Sequence, residues 1–261
     1  MNSEAKTQQP TAWVLRKNSA RINTATFSAK VNVSRPQSGI TIEKVAGNAL
    51  KGQRILAFSH VPHAPPTLVD QYVRGDDLVA TYLTPGKPSA SRKDLKLTDQ
   101  VYWRHIQPST NGPWHDIELV ISLQTDLLGI APRVKLTTTL QDGNVFLVKD
   151  AWHKPVLEPV TESVSIAGAD TTAVLVQSHE SGWSYLQSLY YMDNASCEKT
   201  EFKFSAGRVQ IKSFLFVEHL EKGVIRRLRA RGAFCDTTDI EQLHLSKWFS
   251  EFATSDQPLT V

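Results

Sequence analysis

The 261-residue sequence predicts an all-β fold, a large antiparallel β-sandwich with one C-terminal amphipathic helix. Three observations predict it. Apolar side chains recur with a period of two along most of the chain. Turn signals such as Arg74-Gly75-Asp76, Pro85-Gly86 and Asp142-Gly143-Asn144 separate the apolar runs. Helical periodicity is confined to the region near 238–253. About a dozen or more strands with no helices between them exclude a βαβ organisation and leave antiparallel sheets packed face to face.

Residues 1–11 are polar and read as a disordered tail, so a single ordered domain is expected over 12–261. In RINTATFSAKVNV, residues 21–33, a largely apolar set of Asn23, Ala25, Phe27, Ala29, Val31 and Val33 alternates with a largely polar set of Ile22, Thr24, Thr26, Ser28, Lys30 and Asn32, which predicts one half-buried strand. GITIEKV, QRILAFS, TLVDQYV, DDLVATYL, DQVYWRHIQ, HDIELVISLQT, RVKLTTTL, NVFLVKD, AVLVQSH, WSYLQSLYYM, EFKFS, RVQIKSFLFVEHL and GVIRRLRARGAFC read as the strands that follow. The proline-rich HVPHAPPT and AWHKPVLEPV read as stiff, unpaired loops. In the final segment Thr237 or Thr238, with Asp239, precedes Glu241 in a capping arrangement, and Ile240, Leu243, Leu245, Trp248, Phe249 and Phe252 form an apolar stripe suited to lie on a sheet.

Hydrophobic residues make up 41% of the chain and charged residues 21%, which is globular material with a real core. With 29 basic against 26 acidic residues, the net charge of +3 is too balanced for a nucleic-acid footprint, and no nucleic-acid partner is expected. No secretory pattern opens the chain and no apolar run reaches the roughly 20 residues of a membrane span, so a soluble, cytoplasmic protein without membrane association is expected. Cys197 and Cys235 fit no paired motif and are expected to be free thiols.

The stretch VYWRHIQPSTNGPWHDIELVISL, residues 101–123, gathers two Trp, two His, an Arg and two carboxylates around a loop. Pairing Gln107 with His115 puts Val101, Trp103 and His105 on one face with Ile117, Leu119 and Ile121. Tyr102, Arg104 and Ile106 then share the other face with Val120, Glu118 and Asp116. Trp103 is then packing, and His105 a hydrogen-bonded buried histidine rather than a base. Arg104 falls across from Glu118. With Tyr102 beside it and Trp114 and His115 at the loop, this face has the composition of a sugar cradle, and equally of a solvated outer face.

In KGVIRRLRARGAF, Arg227, Arg229 and Arg231 line one face of a strand over about 14 Å. Such a ladder needs anions. Acids on adjacent strands supply them, or an external anion does, with acidic carbohydrate ranked above nucleic acid. His60 and His63 lie three apart without a recognisable third ligand, so no metal site is expected. No cofactor is expected either: nucleophile-elbow, P-loop and dinucleotide fingerprints are all missing.

At the level of architecture, the many strands from Trp13 to Cys235 resemble the supersandwich of galactose-mutarotase-like proteins and of accessory domains in polysaccharide lyases. The resemblance implies a sugar-related role. Mutarotases use a His and a Glu as acid and base, and those surroundings do not map onto His105, His115 or Glu118 here. Three readings follow: a carbohydrate-binding or accessory module preferring acidic glycans, a carbohydrate-active epimerase or lyase using His and carboxylate chemistry, and a structural or homo-oligomeric interaction protein.

Overall fold

Period-two alternation produces two nine-stranded antiparallel sheets, each burying one face against the other. The computed structural model describes residues 12–60, 65–85, 96–106, 114–126, 131–141, 143–151, 153–168, 173–178, 180–191, 197–239 and 241–255. The expected tail at 1–11, His63, Gly86, Asp142 and the loop at 107–113 lie outside them.

The strands are β1 (Val14–Arg16), β2 (Ser19–Asn23), β3 (Phe27–Asn32), β4 (Ile40–Val45), β5 (Asn48–His60), β6 (Thr67–Arg74), β7 (Asp77–Pro85), β8 (Lys96–Ile106) and β9 (His115–Thr125). They continue with β10 (Val134–Gln141), β11 (Asn144–Lys149), β12 (Val156–Val160), β13 (Val164–Ala167), β14 (Ala173–Ser178), β15 (Trp183–Tyr191), β16 (Cys197–Ser205), β17 (Arg208–Leu215) and β18 (Ile225–Cys235). The first sheet runs β1-β2-β3-β4-β5-β10-β17-β16-β13, and the second β12-β11-β14-β15-β18-β9-β8-β7-β6. A single α-helix, α1 (Leu245–Thr254), follows the last strand among the described residues. No helix among them is long and apolar enough to cross a membrane.

The fold class agrees with the expectation, and so does the β8–β9 register: Arg104 faces Glu118 and Val101 faces Ile121. Val101, Trp103, Ile117, Leu119 and Ile121 point into the inter-sheet core. Each large side chain buried there contributes about 1.5–3 kcal/mol.

Three local expectations are corrected. Residues 21–33 form a hairpin, not one strand. Thr24 turns the chain, its hydroxyl accepting the Phe27 N–H at 2.9 Å, so Ile22 pairs with Ala29 and both are buried. The proline-rich segment after Ala151 contains β12, which tolerates Pro159 because it is a sheet edge with no second ladder to feed. The cap expected at Asp239 exists, with its Oδ1 accepting the Glu241 N–H at 3.0 Å, but it opens a 3-10 turn at Glu241–Leu243. His244 then adopts a left-handed conformation, and α1 begins at Leu245.

His105 is buried as expected, yet neither ring nitrogen has a hydrogen-bond partner among the described residues. The ring lies parallel to Phe27 of the opposite sheet, 5.5 Å between centroids, and His115 stacks on the same Phe27 at 5.3 Å. Burial, reinforced by the charge His115 would carry, holds His105 down to about 4. A His whose folded pKa is depressed contributes stability that is present above its unfolded pKa and is lost as pH falls toward the folded one. His105→Leu should therefore gain on the wild type by up to about 1.4 kcal/mol per pH unit between pH 6.5 and 4. Urea denaturation of both proteins across that range checks this; parallel pH profiles would contradict it.

Candidate functional site

Chemistry-bearing side chains converge on the outer face of the second sheet, where α1 lies across it. The cross-strand registers set Asp77, Arg104, Glu118 and Arg231 side by side on β7, β8, β9 and β18, a line of alternating charge. A cleft of about 520 Å³ opens at the β7 end of this line, lined by Arg74, Asp76, Asp77, Arg104, Glu118 and Ser255 among others.

Arg104 does not pair with the Glu118 opposite it. Its Nε and Nη2 donate to the two Asp77 carboxylate oxygens at 2.7 and 3.0 Å, a fork that fixes the guanidinium plane. The Arg104 side chain keeps 24% of its surface exposed.

Glu118 is held by the arginine stripe instead. Oε2 accepts from Arg229 Nη2 at 2.7 Å and Arg231 Nη2 at 2.9 Å, while Oε1 accepts Arg229 Nε at 3.2 Å. The Ser255 hydroxyl, at the end of α1, accepts from Nη2 of both arginines at 2.8 Å. Phe252 covers the two guanidiniums, its ring centroid 4.9 Å from Arg229 and 4.6 Å from Arg231. Of the two sources of anions the sequence leaves open, Glu118 on the adjacent strand serves Arg229 and Arg231. Both are buried, whereas Arg227, two residues along, is half-buried.

The helix that closes this network does so through its apolar stripe. Leu245, Trp248, Phe249 and Phe252 join Trp114, Leu175, Leu186, Ala233 and Cys235 in a second core separate from the inter-sheet one. Trp114 is thus a packing residue, not a stacking platform, and its Nε1 donates to the Leu243 carbonyl at 2.8 Å. Trp248 Nε1 donates to Asp116 Oδ2 at 2.9 Å, and burial pushes the Asp116 carboxyl up to about 7 against the pull of Arg231. Tyr102 is buried, its hydroxyl donating to Gln100 at 2.7 Å.

Strand alternation separates the histidines from the acids. His105 and His115 face Phe27 in the sandwich interior, whereas Asp116 and Glu118 meet the arginines and α1 on the outer face. His105 borders the cleft that Glu118 lines, but its ring is stacked on Phe27 on the opposite side of the sheet from that carboxylate. A His–carboxylate pair that sequence reasoning missed is His60 Nε2 with Asp99 Oδ2, 2.6 Å apart, linking β5 of one sheet to β8 of the other. Both side chains are wholly buried, and burial holds the Asp99 carboxyl above its ordinary range. Among the described residues no group of three His, Cys, Asp or Glu is placed to hold a metal ion, and both cysteines are free thiols.

No protein-family model matches the sequence, and no curated protein matches it either. Solved structures do. The Slr1438 protein from Synechocystis sp. PCC 6803 is 8% identical, with 90% of this chain covering 100% of that one at a TM-score of 0.51. That likeness is one of fold. Galactose 1-epimerase from Lactobacillus acidophilus NCFM is 10% identical, covering 86% of this chain and 98% of its own at a TM-score of 0.43. A heparan sulfate lyase HepC mutant from Pedobacter heparinus is 7% identical, covering 87% of this chain and 36% of its own at 0.47.

Proposed function

We propose that the protein is a carbohydrate-binding β-sandwich whose ligand occupies the cleft between the β6–β7 turn and the end of α1. The observation that carries this reading is Arg104, fixed by Asp77 and still part-exposed on the cleft wall beside Asp76 and Glu118. A guanidinium edge and neighbouring carboxylates match the paired donors and acceptors of vicinal sugar hydroxyls, and a plane already fixed loses little freedom on binding. The remaining residues of the polar face act behind this surface. Glu118 is taken up by Arg229 and Arg231, while Tyr102, Trp114, His115 and Asp116 are buried. A preference for acidic glycans draws on Arg104 and Arg74, the two cations of a cleft that also carries Asp76, Asp77 and Glu118.

Calorimetric titration with neutral and uronic-acid oligosaccharides at two salt concentrations tests the reading. Binding is expected, with the acidic ligand weakened by salt. Arg104→Lys, which keeps a cation beside Asp77 but removes the fork, should lower affinity about tenfold, the worth of one charge-assisted hydrogen bond. No heat with any sugar, or equal affinities for the variant and the wild type, would refute it.

A further inference from the structure

The two sheets have four edges, and three of them are blunted. β1 has 3 residues, β13 has 4, and β12 carries Pro159 within 5. Short edge strands and edge prolines are the means by which β-proteins prevent intermolecular pairing. The fourth edge, β6, is neither short nor broken by proline. It runs for 8 residues, TLVDQYVR, without proline or lysine, and exposes Val69 at 57% and Tyr72 at 38%. Its ladder to β7 is irregular between Leu68 and Asp70, so the run from Asp70 to Arg74 is the regular part.

We infer that β6 is an interface for a second copy of this chain, the two β6 strands pairing antiparallel about a two-fold axis through Tyr72 and joining the second sheets of both copies into one. The charge pattern of the strand selects this occupant. Asp70, Tyr72 and Arg74 alternate onto one face, paired across β7 with Thr81, Val79 and Asp77. A two-fold axis normal to the sheet at Tyr72 places Asp70 of each copy directly opposite Arg74 of the other, with the two tyrosines against each other at the axis. A one-residue shift in either direction loses both ion pairs, so the pattern also fixes the register. On the inner face, Gln71 is already tied to the facing sheet, its Nε2 donating to the Lys17 carbonyl at 2.9 Å. Pairing exchanges the Gln71 N–H bond to Asp70 Oδ1, 2.9 Å long, for one to the partner strand and turns that carboxylate toward Arg74 of the other copy.

Sedimentation velocity over a concentration series tests the inference on the full chain. The wild type should show a monomer–dimer equilibrium. Asp70→Arg, which opposes guanidiniums at both symmetric positions, should weaken association about tenfold or more. Adding Arg74→Asp to the same chain should restore it, a rescue that no loss of folding can imitate. Hydrogen exchange on the wild type, which involves no variant, should show the amides of residues 70–74 gaining protection as concentration rises. A monomer at every concentration, association unaffected by the charge swap, or unprotected β6 amides in the associated species would overturn the proposal.

Discussion

Replacing Glu118 with Ala should lower the free energy of unfolding by about 3–5 kcal/mol, because Arg229 and Arg231 would remain buried beneath Phe252 without their shared carboxylate. The size of the loss reflects the two stranded cations, not the net worth of the ion pairs. Bringing three ionised groups out of water offsets much of their mutual attraction. A second substitution separates these quantities. If Arg229 and Arg231 are also replaced, by Met and Leu, most of the stability should return. Urea denaturation of the single and triple variants measures both steps. A loss under about 1 kcal/mol for Glu118→Ala would mean that water reaches the guanidiniums, contrary to their burial.

Trp248→Ala should cost a similar amount, about 3–5 kcal/mol, for a different reason. The indole fills the space between α1 and the outer face of the second sheet, packing on Trp114, Phe249 and Phe252, and its N–H is the donor to Asp116. Trp248→Phe separates the two contributions: it keeps most of the ring and should cost about 1–3 kcal/mol for the donor lost from a buried carboxylate. Because α1 also positions Ser255 against both arginines, the alanine variant should expose the charge network as well. Thermal melts and the accessibility of Cys235, buried in the same cluster, to a thiol reagent check this. Slow modification unchanged from the wild type would show the helix still seated.

The sheets were legible because burial on one face imposes strict alternation. The agreement of Val101, Trp103, Ile117, Leu119 and Ile121 was enough to fix the β8–β9 register to the residue. What alternation conveys poorly is a change of direction. The turn at Thr24 is made by a side-chain hydroxyl without glycine or proline, so residues 21–33 read as continuous. β12 was hidden by Pro159, which is compatible with a strand only where the strand is an edge, and edge position is a property of the whole sheet.

The site was legible in its residues more than in their roles. Arg104, Glu118, Arg229 and Arg231 do stand together, but period two assigns only a face. It does not reveal that a helix more than a hundred residues beyond Glu118 covers part of that face and turns apparent ligand contacts into a second core. Asp77, the actual partner of Arg104, could have been found from the turn signal at Arg74-Gly75-Asp76, which makes β6 and β7 a hairpin and brings Asp77 beside β8. The His60–Asp99 pair had no such signal, since its members sit on different sheets and meet only through sandwich packing.

The last strand among the described residues, β18, lies not at a margin of its sheet but between β15 and β9. As the polypeptide leaves the ribosome, β6–β9 and the group β11, β12, β14 and β15 can each assemble early, yet they remain two separate half-sheets until residues 225–235 arrive to bridge them. Each half meanwhile presents a long unsatisfied margin, and closing the gap requires segments far apart in sequence to meet, a slow step for which local structure offers little help. Synthesis of this fold is therefore an insertion, in which the keystone arrives after the walls it joins.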